Sequence, residues 1–157
     1  DPTKTLLVNS YITNSEEETI QTGFNIAKEV YNSAAPSLIL LNGELGAGKT
    51  HLTKGIAKFL GINQIIKSPT YTYVQEYKFE KDKKLYHMDA WKIDNKRDLE
   101  ALEFYNWFKP GNVIVVEWPS VIMNLDESFF NSIEYFYITL RYLDNTKREI
   151  KIFKTQL

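Results

Sequence analysis

Eight consecutive residues, Gly43-Glu44-Leu45-Gly46-Ala47-Gly48-Lys49-Thr50, constrain the fold of this chain more than any other feature. They satisfy G-x-x-x-x-G-K-[ST] in full, and their flanks give the pattern meaning. Before them, Leu38-Ile39-Leu40-Leu41 is a continuous apolar run of buried-strand type. After them, Leu52, Ile56, Phe59 and Leu60 recur at helical spacing from Lys49, and Gly61 supplies a stop. Glycines between a strand and a helix let the backbone curl until successive N–H groups point at one place. The helix N-terminus adds a field that favours an anion there. The expected ligand is a phosphate chain, with Gly43, Gly46, Ala47, Gly48, Lys49 and Thr50 around it. Lys49 reaches the outer phosphates and the Thr50 hydroxyl ligates Mg²⁺.

Such a loop needs carboxylates at strand ends to hold the metal, directly or through water. Two are available. Glu117 ends the apolar strand Val113-Ile114-Val115-Val116, and Asp89 ends a strand that starts at Leu85. The metal set is therefore Thr50, Glu117 and Asp89, and either Asp89 or Glu117 orients the attacking water. His87 shares a strand face with Asp89 by alternation, and reads as structural.

The rest of the chain supplies the frame. Thr5 to Val8 is an edge strand. Ser15 and Glu18 form a capping box ahead of Ile20, Phe24, Ala27 and Val30, which predicts a helix from Glu16 to Tyr31. Tyr71 to Phe79 is extended, Lys81 to Lys84 is a polar turn, and Leu99, Leu102 and Phe104 mark a short helix. Ile133 to Tyr142, the turn Asp144-Asn145-Thr146 and Ile150 to Phe153 form a C-terminal hairpin. The expected fold is α/β and P-loop NTPase-like: a mixed central β-sheet flanked by helices and closed by a β-hairpin. With 157 residues, no internal repeat and no long linker, residues 1–157 form one domain.

Composition excludes some functions. Without cysteines there is neither a disulfide framework nor a thiolate metal site, which suits a reducing cytoplasm. No apolar run reaches membrane-span length. A net charge of −1 makes a protein partner a better expectation than direct RNA contact.

Among nucleotide proteins, Asn95-Lys96-Arg97-Asp98 matches the N-K-x-D guanine-reading motif. It leads into a helical stretch, however, and D-x-x-G is absent, so it reads as a helix start. A small-molecule kinase is the stronger competitor. Such enzymes cover the transferred group with lid arginines, whereas this chain has only Arg97, Arg141 and Arg148, well separated. A nucleotide-gated binding module with little hydrolysis of its own is a further alternative.

Four strings occur in order: Leu45 to Thr50, Ser68-Pro69-Thr70-Tyr71-Thr72, Leu85-Tyr86-His87-Met88-Asp89 and Glu117-Trp118-Pro119. Together they resemble the bacterial tRNA threonylcarbamoyladenosine (t6A) biosynthesis ATPase family of TsaE type, over most of the chain. The resemblance implies a small Mg²⁺-dependent ATPase supporting a partner complex that transfers threonylcarbamoyl to adenosine 37 of tRNA. It implies Gly46 to His51 wrapping the ATP phosphates, Thr70 as a residue sensing the γ-phosphate, Arg148 near the nucleotide, and Glu16 near the adenine end. The chain departs from the family pattern at His51, where a second threonine is common, and at Trp91 and Lys92, where tyrosine and arginine are usual. It departs again at Ser120, often an acid or amide.

Overall fold

The computed structural model describes residues 5–44, 46–69 and 73–156. Its elements are β1 (Thr5–Thr13), α1 (Glu16–Val30), β2 (Ser37–Gly43), α2 (Lys49–Phe59), β3 (Val74–Phe79) and β4 (Lys83–Asp89). There follow α3 (Lys96–Ala101), a 3₁₀ turn at Phe104–Trp107, β5 (Val113–Glu117), α4 (Pro119–Leu125), α5 (Glu127–Ser132), β6 (Phe136–Tyr142) and β7 (Arg148–Thr155). The strands form a seven-stranded sheet in the order β1-β7-β6-β2-β5-β4-β3. The central β6, β2, β5 and β4 are parallel, while β3, β7 and β1 add antiparallel flanks. This is the α/β fold with a mixed sheet and terminal hairpin that the sequence predicts.

Burial on both faces explains why β2 and β5 read as unbroken apolar runs: Leu38 to Leu41 and Val113 to Val116 are all buried. One face carries Ile39, Leu41, Leu85, Val113, Val115 and Ile138 against Leu52 and Ile56 of α2 and Ile26 of α1. The other carries Leu38, Leu40, Met88, Ile114 and Val116 against Leu99, Phe104, Trp107, Ile122 and Phe130.

Local chemistry sets the boundaries. Ser15 caps α1, its hydroxyl accepting from the Glu18 N–H, while the Glu18 carboxylate accepts from the Asn14 N–H instead of completing the box. Asn95 caps α3 with both halves of the box present, its Oδ1 taking the Asp98 N–H. The N-K-x-D match is thus a helix start. In the hairpin turn, Asp144 Oδ1 accepts from the N–H groups of Thr146 and Lys147.

Two expectations change. Lys83 and Lys84 belong to β4, because Glu80 takes a left-handed φ of 50° and tightens the turn ahead of them. β1 runs on to Thr13 because antiparallel pairing with β7 continues past a bulge at Val8. Of the stretch Tyr71 to Phe79, Tyr71 and Thr72 lie outside the described residues.

The phosphate-loop helix α2 is set by its contact with α1. A Cβ at Gly23 would sit 2.1 Å from the Leu52 carbonyl oxygen, and one at Gly55 would sit 1.9 Å from that of Ile20. Both obstacles are backbone, so a side chain would force the helices apart. Gly55→Val is expected to lower stability by at least about 2 kcal/mol, an overpacking cost, in urea denaturation. An unshifted midpoint would show that the two helices do not approach this closely.

Candidate nucleotide site at the ends of the parallel strands

Three adjacent parallel strands end together. Leu41 of β2 is in register with Glu117 of β5, and Glu117 is in register with Asp89 of β4. β2 runs on through Gly43 into the loop, whose Gly46 and Gly48 take left-handed φ values of 80° and 106°. A residue with a Cβ is strained at either position. Gly48 is the N-cap of α2, with no side chain capping its first turn. Those N–H groups therefore remain available to a ligand.

Lys49 is buried and folds back over the loop, its Nζ donating to the Gly43 carbonyl oxygen at 2.7 Å. The same ammonium lies 3.8 Å from Glu117 Oε1 and 4.1 Å from the centre of the Trp118 ring. Burial pushes its pKa down, and Glu117 and then Asp89 push it back up. Trp118 owes its position to a left-handed φ of 57° directly after Glu117, with Pro119 opening α4. Such a conformation costs about 1–3 kcal/mol, and here it lays an indole under the lysine.

Asp89 is buried, and its Oδ1 accepts the Trp91 N–H at 2.9 Å. Burial raises its pKa; the Trp91 N–H opposes this, Glu117 adds to it, and Lys49 and His87 lower it. A raised folded-state pKa means that ionised Asp89 weakens folding at neutral pH, and that this penalty shrinks as pH falls toward the folded pKa. Asp89→Asn is accordingly expected to raise the urea midpoint of the ligand-free chain at pH 7, and to flatten its rise on mild acidification. A lowered midpoint would show that the carboxylate stabilises the fold.

Lys49, Asp89, Glu117, Thr50, Gly46, Gly48 and His51 line a cleft of about 380 Å³ with Ser68, Trp91 and Trp118. A second cleft, about 300 Å³, lies across the loop between the start of α1 and the hairpin turn; Glu16, Asn145 and Arg148 line it, and Gly46, Gly48 and His51 are shared. An elongated ligand laid over the loop thus reaches both. His51 Nε2 faces Glu16 Oε1 at 3.5 Å. Arg148 donates to the Gly46 carbonyl oxygen at 3.4 Å and stacks on Tyr142 at 4.1 Å.

The structure therefore brings together the residues singled out in the sequence, including Gly43 beneath the lysine and Ala47 buried in the loop. Thr70 lies outside the described residues. The sequence alone assigns Trp118 no role beyond the core and Tyr142 none at the site; the placement of Trp118 depends on its unusual φ, and that of Tyr142 on hairpin register. A metal fits the donor set: Thr50 lines the same cleft as two buried carboxylates, and Asp89 Oδ2 has no partner among the described residues.

A glycine loop between a parallel strand and a helix, with acids ending the neighbouring strands, defines a P-loop nucleotide-binding fold. A family profile described as "Threonylcarbamoyl adenosine biosynthesis protein TsaE" matches residues 13–150, and the chain belongs to that family. Proteins named tRNA threonylcarbamoyladenosine biosynthesis protein TsaE are similar to it over 52–90% of its length. That of Rickettsia prowazekii is 36% identical over 90% of this chain and 92% of its own. That of Bacillus subtilis is 42% identical over 62% of this chain and 60% of its own. That of Haemophilus influenzae is 38% identical over 52% of this chain, a match that spans about half (51%) of the relative's length. The crystal structure of Bacillus subtilis YdiB superimposes with a TM-score of 0.71 over 97% of this chain and 88% of its own, at 27% identity. Among the described residues, no helix is long and apolar enough to cross a membrane.

Proposed function

We propose that this chain is a single-domain, cytoplasmic, Mg²⁺-dependent ATPase that supports the tRNA threonylcarbamoyl-transferase complex modifying adenosine 37. The observation that carries the reading is the meeting of Lys49, Glu117 and Asp89 at the mouth of the glycine loop, on register-matched strand ends. Catalysis in such a site is positioning and charge neutralisation, with no covalent step on the protein. The loop N–H groups and Lys49 bind the phosphates, and Gly43 releases the ammonium to them. Thr50, Glu117 and Asp89 would hold the metal, which supplies charge neutralisation at the phosphates. Asp89 or Glu117 orients the attacking water, and Thr70 senses the γ-phosphate. The base lies toward Glu16 and Arg148 in the second cleft.

The arginines favour hydrolysis over small-molecule phosphorylation. Arg141 pairs with Glu149 at 3.1 Å and Arg148 lies behind the loop against Tyr142. None of the three arginines, Arg97 included, is among the described residues that line the first cleft.

The test is Mg²⁺-dependent ATP hydrolysis by the chain, alone and with its organism's transferase complex. Turnover that is weak alone and rises with the complex is the expected result. Turnover indifferent to the complex but raised by an acceptor metabolite would move the assignment to a kinase. Tight ATP binding that alters complex affinity without hydrolysis would make the chain a nucleotide-gated binding module.

A further inference from the structure

The strand that ends at Asp89 also carries a histidine, His87. It lies within β4, fully buried, two residues before Asp89 and in register with Val115 of β5. Its neighbours on this sheet face, Leu85, Val113 and Val115, are aliphatic. A polar ring in such a place is costly unless it is hydrogen-bonded. His87 makes one such bond: Nε2 meets Glu117 Oε2 at 2.5 Å, while Nδ1 is buried without a partner. Packing alone would be served as well by the leucine or valine of the adjoining positions, with no unpaired nitrogen. The bond to Glu117 is what distinguishes histidine from them.

The direction of that bond matters. A nitrogen facing a carboxylate carries the proton, so Nε2–H donates. His87 then holds Oε2 from the sheet interior, and Oε1 is the oxygen turned toward Lys49. A carboxylate fixed through one oxygen cannot swing away when the lysine moves to a phosphate. We propose that His87 is a positioning residue that locks the Glu117 carboxylate so that a single oxygen, Oε1, faces the phosphate and metal site. The inference rests on the reading of Glu117 as the acid serving the metal.

The experiment compares His87→Leu, His87→Gln, Glu117→Gln and the double variant His87→Leu/Glu117→Gln in the full chain. Two quantities are read: Mg²⁺-dependent tightening of a fluorescent ATP analogue, which needs no turnover, and kcat and KM for ATP with the transferase complex. His87→Leu is expected to need roughly 10- to 100-fold more Mg²⁺ for the tightening and to lose kcat to a similar extent, the range for groups that orient metal-serving residues, with KM for ATP at saturating Mg²⁺ nearly unchanged. Gln can place an N–H close to the position of Nε2, so His87→Gln should recover most of the loss. In the Glu117→Gln background, His87→Leu should cost nothing further.

A His87→Leu variant with wild-type Mg²⁺ response and kcat would overturn the proposal. So would His87→Gln failing as badly as a stably folded His87→Leu, or losses that multiply in the double variant. Should His87→Leu fail to fold, full activity in His87→Gln supports the positioning role and its loss overturns it. A Glu117→Gln chain indistinguishable from wild type would remove the reading of Glu117 itself, and with it the role given to His87.

Discussion

Lys49→Ala is expected to abolish ATP turnover and to weaken ATP binding at least about thirtyfold, as truncating one partner of a buried charge pair costs about 2–5 kcal/mol. Lys49 is the buried cation facing the acids of the first cleft, with Nζ held by the Gly43 carbonyl, by Glu117 and by the Trp118 face. A triphosphate must enter beside two buried carboxylates. Without the ammonium, like charges meet in a cleft where burial strengthens their repulsion. The loop N–H groups remain, so a residual affinity for phosphate is expected. Calorimetric titration with ATP and Mg²⁺ checks the prediction. Affinity within a few-fold of wild type would remove the phosphate-loop assignment, and a melted chain would be recognised beforehand by its circular dichroism.

How much of this was legible in the sequence depends on how local the information is. The strand, loop and helix around Gly43 to Thr50 are encoded within about two dozen residues, and α2 starts at Lys49 and stops short of Gly61, at φ 78°, as its pattern requires. Glu117 and Asp89 were readable because each ends a strand, Glu117 more clearly since its strand is wholly apolar. Their adjacency was not. It follows from β5 inserting between β2 and β4, and apolar runs such as Leu38 to Leu41 and Val113 to Val116 do not state which strand neighbours which. The helices α4 and α5 went unread. Pro119 at the first turn was a usable signal, but Val121, Ile122 and Leu125, then Phe129 and Phe130, span only two short helices broken at Asp126. His87 shows the limit most clearly. Its alternation with Asp89 placed it on the right face, yet its partner comes from a strand 30 residues later.

Glu117→Ala separates binding from chemistry. Nucleotide binding should survive, because the loop N–H groups and Lys49 are untouched and one negative charge beside the phosphates is gone. Mg²⁺-dependent hydrolysis should fall by roughly 10²- to 10⁴-fold, the usual contribution of a positioned acid or base. The loss should exceed that in Asp89→Ala, for a geometric reason. β5 lies directly beside β2, the strand that feeds the loop, and Glu117 faces Lys49; Asp89 is one strand further out. Each acid has one oxygen committed, Asp89 Oδ1 to the Trp91 N–H and Glu117 Oε2 to His87, so the difference lies in strand position and in Glu117 Oε1 facing Lys49. Hydrolysis at saturating ATP across a Mg²⁺ titration distinguishes the two variants. If Asp89→Ala raises the Mg²⁺ requirement more than Glu117→Ala does, the metal role passes to Asp89, and Glu117 becomes the partner that keeps the buried lysine charged until a phosphate takes its place.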